Sequence, residues 1–241
     1  MALPKLQTPT HELKLPSTDQ MVKYRPFLVK EEKILMMAQE GGDNDSIMNG
    51  VKQIIQNCII SPKLDVSKLA MFDLEYIFLK LRAKSAGEKV TVGIKCDKCN
   101  APTDVEINLE SIEVNKPEKH NSKIMLTDEV GITMRYPQID TVKGMGAIET
   151  IDEGFEVVKR CVETIFTSGG DVHELRDVTN EESSEFFESL TTEQFQKIRD
   201  FFDTMPKVRH EVKFKCVGSV SYTHLRAHET EADLVCRLLL E

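Results

Sequence analysis

The chain has 241 residues and a formal net charge of −9 at pH 7, which is long enough for one large domain or two small ones. An acidic chain without a basic cluster argues against non-specific nucleic-acid binding, because such binding depends on neutralising phosphates. No run of 18 apolar residues occurs, so we expect no membrane span, and the first residues lack the apolar core of a signal peptide.

The first 87 residues predict a hairpin followed by helices, and we treat them as one block. Residues 11–15 and 21–29 flank a Pro-Ser-Thr-Asp turn and are typical of a hairpin. Apolar spacing then predicts a helix at 30–40, a second from a cap at Asp45 towards Pro62, and a third from a cap at Ser67 to about Lys84. The third helix is the richest in large apolar side chains, so we expect it to be the most buried element.

A second block, residues 88–138, contains a cysteine pair at the tip of a predicted hairpin. Residues 89–95 and 104–109 alternate between polar and apolar side chains, as half-buried strands do. Cys96 and Cys99 lie between them in a Cys-x-x-Cys turn. Two further strands are predicted after the hairpin, at 123–127 and 132–136.

The third block, residues 139–218, is predicted to be mainly helical. One apolar helix face contains Phe155, Val158, Val162 and Ile165. Capping-box patterns then predict short helices at 180–189 and 192–204. A final strand leads to Cys216, and the fold class predicted from all three blocks is α+β, with helical blocks and short antiparallel hairpins.

Two segments, 71–99 and 195–216, share the order helix, strand, cysteine. This order raises the question of an internal duplication, although the residue identity is too low to establish one from the sequence.

Residues 219–241 closely resemble the translation of a sequencing adapter, and we treat them as a non-native tail. This interpretation removes Cys236, His224 and His228 from every site argument. It also leads us to expect that the natural protein continues differently, with a second cysteine after Cys216.

The cysteine spacing favours a structural zinc site with Cys96, Cys99 and Cys216 as ligands. A Cys-x-x-Cys turn holds two thiolates at the separation that a tetrahedral zinc ion needs, and two such turns complete a four-cysteine site. With three cysteines the site is incomplete, and His210 is a fallback ligand. Two alternatives stay open: a redox dithiol, which usually lies at a helix N-terminus, and a relic that binds no metal.

The remaining candidate groups have structural interpretations, and we predict no catalytic residue. Cys58 and Cys161 lie on apolar helix faces and are expected to be core residues. The acidic stretch 177–188 is expected to be a solvated helix face with Phe186 and Phe187 inward. Four scattered histidines are expected at the surface: His11, His120, His173 and His210.

Three segments resemble the baseplate hub proteins of T-even-like contractile-tailed bacteriophages. They are residues 1–6 (MALPKL), 24–33 (YRPFLVKEEK) and 72–85 (FDLEYIFLKLRAKS), the last followed directly by the Cys-x-x-Cys hairpin. The resemblance spans residues 1–216. Members of that family often have a second Cys-x-x-Cys near the C-terminus, where this chain has Cys216 alone.

The resemblance implies a non-enzymatic structural or assembly component of a tail baseplate hub. Its partners would be other hub or tail proteins, and it would occur in the host cytoplasm during assembly or in the virion baseplate. An alternative from another class is a zinc-ribbon regulator that binds nucleic acid, which would need a basic face around Lys89, Lys95 and Lys98. A third, a thiol oxidoreductase, would need a reactive cysteine pair.

Overall fold

The structure is a computed structural model, and it describes residues 7–95, 99, 102–142, 151–215 and 222–226. These residues form seven α-helices and several short antiparallel sheets, which confirms the predicted α+β class. They belong to two compact units, Met1–Asn115 with Lys207–Glu241, and Lys116–Pro206. The block bounds predicted above follow sequence pattern rather than contacts, and they stay predictions.

The first unit begins with the predicted hairpin, β1 (His11–Lys14) and β2 (Met21–Tyr24). Helices α1 (Val29–Gly41) and α2 (Asn44–Cys58) follow, and β3 (Ile59–Ser61) then pairs antiparallel with β2. The strand order is β1-β2-β3, so a strand that the sequence analysis missed completes this sheet.

The bounds of α2 differ from the prediction at both ends. The cap is Asp43, whose carboxylate accepts a hydrogen bond from the Ser46 N–H at 2.7 Å, rather than Asp45. The helix ends at Cys58, well before Pro62, because the next three residues pair with β2.

The third helix, α3 (Met71–Ala86), is heavily buried, as predicted. Ser67 is not its cap: it belongs to a 3-10 turn, Val66–Lys68, which Asp65 caps, and Ala70 precedes the helix. The buried apolar side chains of α3 include Phe72, Leu74, Ile77, Phe78, Leu79 and Leu81.

Strands β4 (Lys89–Lys95) and β5 (Pro102–Asn108) form the predicted cysteine hairpin, and β6 (Val114–Asn115) follows. The base of the hairpin packs against α3. The buried side chains of this core are Leu79, Ala83, Val90, Leu109 and Ile112.

The second unit has the sheet order β10-β9-β8-β7. Its strands are β7 (Lys123–Met125), β8 (Val130–Met134), β9 (Val162–Thr167) and β10 (Val172–Glu174). Its helices are α4 (Ile139–Val142), α5 (Ile151–Cys161), α6 (Asn180–Glu188) and α7 (Thr192–Thr204).

The predicted helix face through Val162 and Ile165 is wrong. Helix α5 ends at Cys161, and Val162–Thr167 is strand β9, which pairs with β8 on one side and β10 on the other. The segment is rich in β-branched residues, which fit a pleated sheet better than a helix. Gly144–Gly146, where the glycine spacing favours a turn, lies outside the described residues.

Both predicted capping boxes are present, at Thr179 with Glu182 and at Thr191 with Gln194. Phe187 is fully buried, whereas Phe186 is only half-buried. The core of this unit brings α5, α6 and α7 onto the sheet. Its buried residues include Leu126, Ile132, Met134, Val158, Cys161, Phe187, Ile198 and Phe201.

The chain returns to the first unit through β11 (Lys207–Val208), which pairs antiparallel with β6. Strand β12 (Glu211–Lys215) is the predicted strand before Cys216, and it pairs with β13 (Tyr222–Arg226). Within the described ranges, no helix combines the length and the apolar character needed to cross a membrane.

Candidate functional site

The cysteine hairpin is a regular antiparallel ladder. The pairing runs from Lys89 opposite Asn108 to Lys95 opposite Pro102 without a shift of register. Val90 and Val105 are buried while Thr91 and Glu106 are exposed, so one face packs on the protein and the other meets solvent. Of the residues that connect the two strands, the structure describes Cys99, which lies in a turn.

The structure describes one of the three predicted zinc ligands. Cys99 lies in a turn at the hairpin tip and is exposed. Cys96 and Cys216 lie outside the described residues, directly after the last residues of β4 and β12. Among the residues that are described, no group of three or more His, Cys, Asp or Glu side chains could hold a metal ion.

A buried hydroxyl lies next to the hairpin tip. Thr103, opposite Ile94 in the ladder, is buried, and its Oγ1 has no hydrogen-bond partner within the described part of the chain. A buried hydroxyl without a partner costs free energy. This hydroxyl could donate a hydrogen bond to a nearby thiolate.

Two lysines fasten the base of the hairpin to α3. Lys80 Nζ donates to the carbonyl oxygens of Glu110 (2.6 Å) and Ile112 (3.1 Å) and lies 5.1 Å from the Tyr76 ring centroid. Burial lowers the pKa of Lys80. Lys84 pairs with Glu110 and with Glu88, and hydrogen bonds to these carboxylates raise the pKa of Lys84.

Lys89, on the solvent face of the hairpin, forms an ion pair with a carboxylate. Its Nζ lies 2.7 Å from Glu106 Oε1 on the neighbouring strand, and this hydrogen bond raises the pKa of Lys89. A phosphate that binds Lys89 would have to compete with that carboxylate.

Cys58 and Cys161 are core residues, as predicted, and both are 0% exposed. Burial raises the pKa of Cys58 to about 11 and that of Cys161 to about 12. Both thiols are therefore protonated at physiological pH, which disfavours a role for either as a catalytic nucleophile or a thiolate ligand.

A buried ion pair beside Cys58 was missed by the sequence analysis. Glu31 is fully buried, and its carboxylate accepts hydrogen bonds from the Leu28 N–H (2.9 Å) and from Arg25 Nη2 (3.0 Å). Burial alone would raise the pKa of Glu31, but these hydrogen bonds outweigh it and lower the pKa. The only sequence signal was its place three residues after Leu28, where helix-capping carboxylates occur.

His120 is half-buried rather than exposed, and it packs in an aromatic cluster that the sequence did not predict. Its ring stacks on Tyr136 and contacts Phe201, with centroid distances of 5.5 and 4.8 Å, and Nδ1 lies 3.1 Å from Thr204 Oγ1. His173 is exposed, as predicted, whereas His11 and His210 are half-buried.

Comparison with known proteins identifies a family. The family model described as "T4 bacteriophage base plate protein" matches residues 8–227. The match includes the first residues of the adapter-like segment. No curated protein and no solved structure matches the chain.

Proposed function

Since the chain belongs to the T4 bacteriophage base plate protein family, we propose that it is a structural and assembly component of the baseplate hub that acts through protein–protein contacts. The observation that carries this proposal is the family match over nearly the whole chain. The role as a structural baseplate protein follows from the family, while the hub location and the contact mechanism are our proposal.

Helix α1 supplies the surface that we propose for such a contact. Val29, Met36 and Met37 are 79%, 58% and 62% exposed, which is unusual for large apolar side chains on a short helix. Adjacent to the start of the helix, Phe27, Leu28 and Val29 border a shallow depression that Ser85 and Ala86 close on the other side. Exposed apolar patches of this kind commonly mark protein interfaces.

An assembly assay tests this surface. We expect a Val29→Ser, Met36→Ser, Met37→Ser variant to fold with unchanged circular dichroism but to complement a phage lacking the gene poorly, leaving few complete baseplates in electron micrographs. The matched control changes two exposed apolar residues of the other unit, Met125→Ser and Val172→Ser. Normal baseplate numbers with the α1 variant would disprove the role of this surface.

We also propose a structural zinc ion held by Cys96, Cys99 and Cys216. Three observations support it: both hairpin cysteines fall in the short sequence between the paired strands, Cys99 is exposed, and the buried Thr103 hydroxyl has no hydrogen-bond partner within the described residues. The ion would contribute folding free energy, because its ligands come together only when the chain folds. It would supply no chemistry of its own.

A zinc titration tests the ligand set. We expect Cys96→Ser to weaken zinc binding by at least about a hundredfold, more than the loss of an outer-shell partner. Cys236→Ser is the matched control and should leave the affinity unchanged, since Cys236 is not a proposed ligand. If the parent chain takes up no zinc by elemental analysis, or if both variants bind equally well, the zinc site does not exist.

A further inference from the structure

The three-stranded sheet of the first unit has a counterpart in the second. Val22 and Ile132 are both 0% exposed at the centre of β2 and β8, and Tyr24 and Met134 follow two residues later, also buried. Before each strand, the hairpin closes with the same backbone bond: the Leu15 N–H donates to Gln20 O, and the Leu126 N–H donates to Val130 O, both at 2.9–3.0 Å.

The third strand is irregular at the same position in both sheets. In the first, Tyr24 pairs with Ile59 and Lys23 with Ser61, so Ile60 is an extra residue in the ladder. In the second, Met134 pairs with Val162 and Thr133 with Thr164, so Glu163 is the extra residue. A bulge is a local feature that a generic antiparallel strand does not require.

The junction between helix and third strand is also the same in both units. Each helix ends at a fully buried cysteine, Cys58 or Cys161, with the strand beginning at the next residue. The carbonyl of each cysteine accepts a hydrogen bond from the backbone of an arginine that follows the central strand. The distances are 3.0 Å from Arg25 N and 2.8 Å from Arg135 N.

The two arginine side chains repeat the correspondence. Arg25 Nη2 donates to the carbonyl of Asn57 at 3.0 Å, and Arg135 Nε donates to the carbonyl of Arg160 at 2.9 Å. In both cases the acceptor is the residue before the buried cysteine. Each arginine thus binds two carbonyl groups at the C-terminus of a helix, where unsatisfied acceptors are found.

The correspondence continues through the next helix. A 3-10 turn, Val66–Lys68 or Leu175–Asp177, is followed after two residues by helix α3 or α6. Eight residues into each helix lies a fully buried phenylalanine, Phe78 or Phe187. The order, spacing and buried residue types therefore agree over two strands, a helix end, a bulged strand and a helix start.

We infer that the chain contains one structural module twice, at residues 11–78 and 123–187, as the product of an internal duplication. A shared antiparallel sheet alone could arise independently. A shared bulge, a shared arginine–cysteine junction and a shared spacing to the following phenylalanine are three separate agreements without a common physical requirement. The sequences alone do not reveal it because loops of different length lie between the matched elements.

Thiol protection tests the duplicated junction without any metal. We expect Arg25→Ala to raise the labelling rate of Cys58 by a maleimide at least about tenfold, as loss of charge-assisted hydrogen bonds should, and to leave Cys161 unchanged. Arg135→Ala should do the reverse. The exposed Arg176→Ala is the matched control and should change neither rate. If only one cysteine responds to its arginine, the junctions are not equivalent.

A graft tests the same equivalence by a second route. Replacing residues 57–61 with the sequence of 160–164 requires Asn57→Arg, Ile59→Val, Ile60→Glu and Ser61→Thr, and should shift the thermal midpoint by less than about 4 °C. The same five residues placed one position earlier should lower the midpoint by more than about 8 °C. Equal damage from both grafts would overturn the inferred duplication. Because neither test involves zinc, a failed zinc titration leaves this inference standing, and the converse also holds.

Discussion

At the scale of single residues, the clearest electrostatic feature of the second unit is a histidine inside an aromatic cluster. The His120 ring is bounded by Tyr136 and Phe201, its Nδ1 faces Thr204, and its Nε2 has no hydrogen-bond partner among the described residues. Protonation would place a second N–H and a positive charge where no acceptor is described, and burial accordingly lowers the pKa of His120.

The lowered pKa predicts a pH dependence of stability. Above the ordinary histidine pKa both folded and unfolded chains are neutral at this site, so its contribution is fully present. As the pH falls below the ordinary histidine pKa, His120 is protonated in the unfolded chain but not yet in the folded chain. The free energy of unfolding therefore decreases until the pH reaches the lower pKa of His120 in the folded chain. We expect urea unfolding midpoints to fall from pH 7.5 to pH 5.5, and His120→Phe, which keeps an aromatic ring in the cluster, to flatten that fall.

His173→Phe is the control for this measurement. His173 is exposed on β10, so its replacement should leave the pH dependence as in the parent chain. An unchanged slope in His120→Phe would show that other groups cause the acid sensitivity.

At the scale of elements, local sequence predicted the helices well and the third strand of each sheet badly. The capping boxes at Thr179 and Thr191 predicted α6 and α7 because the signal lies within four residues. Strands β3 and β9 were missed because each follows a helix directly, after Cys58 or Cys161, without glycine or proline to mark the change. Those helices end because the next residues pair with a strand from elsewhere in the chain. The spacing of apolar residues within one segment does not predict such pairing.

The same limit applies to the candidate site. Alternation and a Cys-x-x-Cys turn predicted the β4–β5 hairpin, because both are properties of a continuous segment. The ion pair between Lys89 and Glu106 depends on the register between two strands. The burial of the Thr103 hydroxyl depends on the side chains that pack over it. Neither property can be derived from spacing along one strand.

Two neighbouring phenylalanines of helix α6 differ in burial, and mutation of each tests that difference. The sequence placed both Phe186 and Phe187 inward, whereas only Phe187 is fully buried in the core of the unit. We expect Phe187→Ala to lower the free energy of unfolding by about 3–5 kcal/mol, since it loses burial and leaves a cavity. Phe186→Ala, a change of the same size one position away, should cost clearly less in the same urea titration. Equal costs would mean that Phe186 is also a core residue.

At the scale of the whole molecule, the chain path makes the two units topologically different. The second unit is one continuous segment, whereas the first is formed from two segments that meet where β6 pairs with β11. That pair lies where the chain leaves the first unit and where it returns. If the second unit unfolded, the two segments of the first unit would therefore still be joined by the same chain.

Each unit also has its own buried residues, so a core mutation should act on one unit at a time. Ile198 and Ile77 are both 0% exposed, one in each unit, and truncating either to alanine should cost about 2–5 kcal/mol locally. Under native conditions we expect Ile198→Ala to speed amide hydrogen exchange across α5–α7 and the β7–β10 sheet while β4, β5 and α3 keep their protection, as sub-global opening predicts. The matched variant Ile77→Ala should speed exchange in the first unit and spare the helices of the second. Mass spectrometry of peptic fragments resolves these regions, and uniform loss of protection in either variant would show that the two units unfold as one cooperative body.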